Sequence, residues 1–198
     1  MGALGESIKR QLVERLGERW WQNNVNAIDL VWNEIEASLR SLDLPCKRVR
    51  IYQDGLPVCG RELDIVKELA AAGSRNHRIL LEMAKRGAVI MGTESPDLLI
   101  EEYNGVRRLL GTSGRQSKQE EDFKSSGTSL IEKRDRFIAQ RVATTLAENE
   151  IGILFLGLLH SVGNHLPANV KILSLLPFAR NRARIMEAIR LTSSPERS

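Results

Sequence analysis

The chain has 198 residues and a mass of 22.2 kDa, with 42% hydrophobic and 27% charged residues. That is ordinary for a soluble globular protein and excludes a wholly disordered chain or a fibrous repeat. Lys plus Arg number 29 against 25 Asp plus Glu, a net charge of +4, and the basic residues are scattered, so composition does not favour nucleic-acid binding.

In chain order, residues 4–42 predict a helical arm. Ile8, Leu12 and Leu16 share one face, and Ile28, Val31, Trp32, Ile35 and Leu39 continue a helical stripe. Gly17 and the polar Gln22-Asn23-Asn24 stretch predict a division into two helices. Trp20, Trp21 and Trp32 are expected in helix packing or, if exposed, at a homo-oligomer interface formed by this arm. Domain organisation is therefore read as an arm over 1–44 and an α/β domain over 45–198.

The 47–52 stretch Lys-Arg-Val-Arg-Ile-Tyr alternates as a strand does and stops at Asp54-Gly55-Leu56-Pro57. Two helices follow, one carrying Leu63, Ile65, Val66 and Leu69, the other opening at Ser74 and carrying Ile79, Leu80 and Met83. His77, beside that cap, is expected in solvent. Ala88 to Met91 predicts a short buried strand leading into Gly92-Thr93-Glu94, and Ser95-Pro96 starts a helix with proline at its first position. Glu101 and Glu102 read as solvated charge. Residues 112–128 show no apolar period and predict a flexible loop that closes over the site.

Ser129 to Glu132 has the form of a capping box and predicts a helix start. The stripe of that helix, Ile131, Ile138 and Val142, is interrupted on the same face by Arg134 and Asp135. Charged residues on a core face are paired or functional. Ile153 to Leu156 is a continuous apolar strand of the kind buried on both faces, Val170 to Leu176 predicts another strand, and a helix is expected over about 178–191.

The fold class predicted is α/β: a small, mainly parallel sheet flanked by helices, with an N-terminal helical arm. The two helices between the first strands leave open an antiparallel pairing. In an open α/β sheet ligands bind beyond the carboxyl ends of the strands, which here carry Asp54, Glu94 and Gly157-Leu158-Leu159-His160. A helix opening at Ser129 would bring Arg134 and Asp135 to the same rim. Carboxylates and an imidazole gathered there hold a divalent ion or carry out acid–base chemistry. Each residue also has an ordinary structural role: Glu94 as a helix-terminal acid, Arg134 and Asp135 as a salt bridge, His160 as a strand-end side chain satisfied by backbone. His165 is expected as a solvated loop residue. No GxGxxG, GxxxxGK[ST] or GxSxG occurs, which disfavours dinucleotide binding, P-loop chemistry and the serine-hydrolase elbow.

The segment Arg134-Asp135-Arg136-Phe137-Ile138-Ala139, followed by helix and then Gly152-Ile-Leu-Phe-Leu-Gly157-Leu-Leu-His160, resembles the C-terminal motif of the TraB/ChaN/erythromycin-esterase-like superfamily, over about 30 residues. The resemblance implies an α/β fold and, for some members, hydrolytic or metal-dependent activity. It carries over Arg134 and His160, and Glu94 as the strand-end acid. Those families also have an N-terminal Gly-x-x-His, which this chain lacks; Asp54 stands at the corresponding strand end.

The expected function is a hydrolase-like enzyme acting on a small or peptide-like substrate. Glu94 and His160 serve as metal ligands or acid–base groups, Asp54 orients the histidine or binds metal, and Arg134 stabilises negative charge, with Asp135 beside it. A divalent metal ion is the one cofactor expected. The alternative is a non-catalytic ligand-sensing or scaffold protein that oligomerises through the arm. Cys46 and Cys59 form no CxxC pair. The early Glu6, Lys9 and Arg10 are unlike a secretory signal, and the longest apolar run is far short of the roughly 20 residues that span a bilayer. A cytoplasmic protein without membrane contact is expected.

Overall fold

The computed structural model describes residues 3–111, 118–157 and 159–175. They fall into two compact units, one of residues 3–43 with 173–175, the other Leu44–Ile172.

The first unit holds α1 (Ala3–Leu16) and α2 (Glu18–Ser41). The break between them falls at Gly17, whereas Gln22-Asn23-Asn24 lies within a continuous α2. The polar stretch does not end the helix because its amides bond along it: Gln22 Nε2 donates to Asn26 Oδ1 and Asn24 Nδ2 to the Trp20 carbonyl, each one turn away.

The second unit is built on a parallel sheet of β1 (Val49–Gln53), β2 (Val89–Met91) and β3 (Ile151–Phe155) in the order β2-β1-β3. Ile51 pairs with Ile90 on one side and Ile153 on the other. The α/β expectation is borne out, and the two helices between β1 and β2 return the chain to parallel register. They are α3 (Glu62–Ala71) and α4 (Arg75–Lys85), which pack on each other and on β2. α5 (Pro96–Gly111) and α6 (Lys118–Thr145) lead from β2 to β3.

Burial is distributed differently from the sequence expectation. Ile153 is buried, but the rest of β3 is exposed or half-buried, and Val89 in β2 is 47% exposed. Both are edge strands. The alternating segment is the central one: Val49, Ile51, Tyr52 and Gln53 are all buried. Tyr52 is fully buried, and its hydroxyl lies 2.8 Å from Thr145 Oγ1 at the end of α6. A second packing cluster joins Ile138 and Ala139 of α6 to Val162, with Leu154, Leu156 and Leu166 around it.

Three further expectations are corrected. Residues 118–128 are helical, since α6 begins at Lys118; 112–117 lie outside the described residues. Ser129 is therefore inside a helix and does not cap one. Residues 170–175 form no strand, and 176–198, with the expected final helix, lie outside the described residues. Among the described residues no helix is long and apolar enough to cross a membrane.

Candidate functional site at the carboxyl ends of the strands

From β1 the chain crosses over to β2 on one side, and the later crossover places β3 on the other. Such a reversal of strand order opens a crevice beyond the strand ends, the usual ligand position in open α/β sheets. Here it falls between β1 and β3, where Asp54 and the 157–160 turn emerge. Their loops are joined directly: the Asp54 N–H donates to the Phe155 carbonyl, and Asp54 Oδ2 accepts the Gly157 N–H at 3.0 Å.

The loops after β1 and β2 are also knitted together. Thr93 N and Glu94 N both donate to the Leu56 carbonyl, and Val58 N donates to the Glu94 carbonyl. Gly92 permits this approach, since a Cβ there would stand 2.7 Å from Val58 Cα and 2.6 Å from Glu62 Oε1. Thr93 is fully buried, with its hydroxyl accepting from Gln53 N and donating to the Met91 carbonyl. These bonds place Glu94, itself 0% exposed, beside Asp54.

Arg134 and Asp135 come from the inner face of α6 and are 4% and 3% exposed. The guanidinium binds three carboxylates. Nε donates to Glu94 Oε2 at 3.0 Å and Nη2 to Glu94 Oε1 at 2.5 Å; Nη2 also reaches Asp54 Oδ1 at 2.7 Å. Nη1 donates to Glu102 Oε1 of α5 at 2.7 Å. Asp135 binds the turn after β3: Oδ1 lies 2.5 Å from His160 Nδ1, and Oδ2 accepts the Ser161 N–H at 2.7 Å. The other ring nitrogen, Nε2, faces Asp54 Oδ2 at 3.4 Å.

All five residues singled out in the sequence thus meet at one rim. Ligand atoms of Asp54, Glu94 and His160 lie within 4.8 Å of one another. Glu102 is the member that sequence reasoning misplaced as solvated charge. Its signal was present: it occupies a half-buried position between Leu98-Leu99 and Gly105-Val106 on α5, an interruption of a stripe like that at Arg134. His77 is also half-buried, with Nδ1 2.8 Å from Ser74 Oγ, and burial lowers its pKa. His165 is partly buried in the 3-10 turn Val162–His165 and takes no part in the cluster.

Proton affinities follow from this packing. Burial alone would raise the Asp54 carboxyl, but the His160 imidazole, the Glu94 carboxyl and the Gly157 N–H hold it well below the ordinary carboxylate range. Glu94 is pushed up, first by burial and then by Asp54, against the opposing pull of Arg134. Asp54 raises His160 to about 9, and Asp135 adds to this against the cost of burial. Arg134 is desolvated, but Glu94, Glu102 and Asp54 outweigh that and hold it charged.

Counted as charges, Asp54, Glu94, Glu102 and Asp135 supply four negatives and Arg134 one positive. Below about pH 9 the His160 imidazole adds a second positive charge, so the cluster is two charges negative with all four carboxylates ionised, a surplus that a divalent cation would balance. No protein-family model matches the chain, and neither a curated protein nor a solved structure matches it.

Proposed function

We propose that the chain is a hydrolase-like enzyme acting on a small or peptide-like substrate, with a divalent metal ion held by Asp54, Glu94 and His160. The observation that carries this is the surplus of carboxylates around an imidazole pinned at Nδ1 by Asp135, with Nε2 turned toward Asp54. A carboxylate on the far ring nitrogen is the usual companion of a metal-binding histidine, because it fixes the tautomer and leaves the other nitrogen's lone pair for the ion. Ligand bonds of 2.0–2.1 Å in a tetrahedral site set ligand atoms about 3.4 Å apart. The ligand atoms of the three side chains lie within 4.8 Å of one another, so they would have to draw closer to hold such an ion.

Bound there, the ion supplies a Lewis acid and lowers the pKa of attacking water. Asp135 holds the imidazole in place. Arg134, released from part of its carboxylate shell, faces the negative charge that develops on the substrate oxygen, where a preorganised cation acts most strongly. The exposed free thiol of Cys59 fits the reducing cytoplasm.

The test is calorimetric titration of the full chain with Zn²⁺, Mn²⁺ and Mg²⁺, with hydrolysis of ester and peptide panels measured in parallel. One ion per chain is expected, weakened at least about tenfold in Asp54→Asn and His160→Gln, with turnover that requires the ion. An unchanged titration in both folded variants, or turnover indifferent to chelator, overturns the proposal.

One observation favours a second reading. Every oxygen of Asp54, Glu94 and Asp135 already accepts a hydrogen bond or ion pair within the protein. Such a cluster serves equally as a clamp in a non-catalytic ligand-sensing or scaffold protein that self-associates through residues 4–42, where Ile28 is 57% exposed. Light scattering on the full chain tests the association. A monomer unaffected by Ile28→Glu removes it.

A further inference from the structure

Resting on the enzymatic reading of this site, we infer that Glu102 is a built-in stand-in for the substrate, and that the substrate carries a carboxylate which takes its place on Arg134 Nη1. The partners of Arg134 differ sharply in accessibility. Glu94 is sealed, with a side chain 0% exposed, and Asp54 is 21% exposed, whereas Glu102 is 44% exposed.

Glu94 and Asp54 bind the Nε and Nη2 side of the guanidinium, and both are anchored to the strand-end loops by backbone N–H groups. Among the described residues Glu102 alone holds Nη1, through a single oxygen at 2.7 Å. It comes from α5, and among the described residues no backbone N–H is bonded to its carboxylate. Rotation of one side chain into solvent would therefore uncover a charged donor that remains held from behind by two carboxylates.

Charge balance favours the same exchange. With the imidazole neutral as a ligand to the ion, Arg134 and a divalent ion supply three positives, and Asp54, Glu94 and Asp135 supply three negatives. Glu102 is the one charge beyond that balance. A monoanionic carboxylate replaces it charge for charge, with the planar geometry that suits a guanidinium. A phosphate dianion would overload the site.

The test uses the full chain treated with EDTA, with benzoate as probe and benzamide as its neutral counterpart, followed by ligand-detected NMR. Self-occupancy by Glu102 weakens the apparent affinity by the fraction of time Nη1 is covered. For a part-exposed ion pair, Glu102→Ala should bind benzoate up to about fivefold more tightly than wild type. Benzamide should not change. Glu102→Gln, which keeps side-chain size and removes only charge, should shift benzoate in the same direction.

Equal benzoate affinity in all three proteins, or an equal gain for benzamide, overturns the inference. So does a larger gain for inorganic phosphate than for benzoate. Because the measurement is made without metal, it reads the exchange at Nη1 by itself: failure of divalent-ion binding removes the charge-balance argument and leaves the exchange to be decided by benzoate. Failure here with ion binding preserved removes the carboxylate substrate and leaves the metal site standing.

Discussion

Asp135 holds His160 and its neighbour together: Oδ1 sits 2.5 Å from the His160 Nδ1, while Oδ2 accepts the backbone N–H of Ser161. One carboxylate therefore fixes both the ring and the turn that carries it. Since Asp135 sits on α6 and His160 beyond β3, the pair also fastens that helix to the strand end.

Asp135→Asn keeps the shape and removes the charge. The imidazolium loses a charge-assisted partner, worth about 2 kcal/mol. Urea unfolding should show a loss of that size, and the ¹⁵N shift of the His160 ring should report a lower pKa. An unchanged histidine titration would separate Asp135 from the ring.

Arg134→Met leaves Glu94, Asp54 and Glu102 without their shared cation. Breaking a buried ion pair from one side costs about 3–5 kcal/mol. Adding Glu94→Gln should recover part of this, because the remaining buried negative charge falls by one. Additive losses in the double variant, measured by urea unfolding, would contradict the coupling of these two residues.

The pH dependence of stability has a definite direction. His160 is raised to about 9 in the folded chain, against about 6.5 unfolded. Its contribution is complete below pH 6.5 or so and disappears as pH rises through about 9. Asp54 is lowered, so its contribution holds above about pH 4 and declines under more acidic conditions. Glu94 is raised and partly opposes Asp54 in the acid range. Melting temperature in chelator should fall from pH 6.5 to 9, and His160→Gln should flatten that fall. A wild-type curve that is level across this range would contradict the ion pair.

Gly92 and Gly127 should respond oppositely to alanine. At Gly92 the added Cβ meets Val58 Cα at 2.7 Å, a backbone atom that cannot turn aside. A loss of about 1–3 kcal/mol is expected as the loops bearing Asp54 and Glu94 are forced apart. At Gly127, inside α6, the Cβ meets nothing within 4 Å. Alanine there should stabilise by about 0.5–1 kcal/mol through helix propensity. Denaturant midpoints of the two variants moving in the same direction would contradict these placements.

Much of the site was legible before the structure because its chemistry conflicts with its pattern. Arg134 and Asp135 interrupt an apolar helical stripe, and a charge there must be paired. The strand ends marked by Asp54, Glu94 and Gly157-to-His160 followed from one alternating segment and two apolar runs, each stopping at or just before a glycine. The start of α6 was misjudged because residues 118–128 contain a single large apolar residue, Phe123, and helix formation there leaves no apolar period to detect. The Val170–Leu176 segment failed for the converse reason. Its apolar residues satisfy strand propensity, yet 170–175 have no ladder partner.

The amino-acid order alone determined the local facts: which segments alternate strand with helix, where turns fall, and which charges stand on inward faces. These depend on neighbours within a few residues. Tertiary structure alone decided that β1, and not the more apolar β3, is the central strand, and that Asp135 takes the imidazole while Arg134 takes Glu94, Asp54 and Glu102. Strand order and ion-pair choice are set by contacts between groups up to about a hundred positions apart. No local propensity encodes which of several buried charges will lie within 3 Å of another.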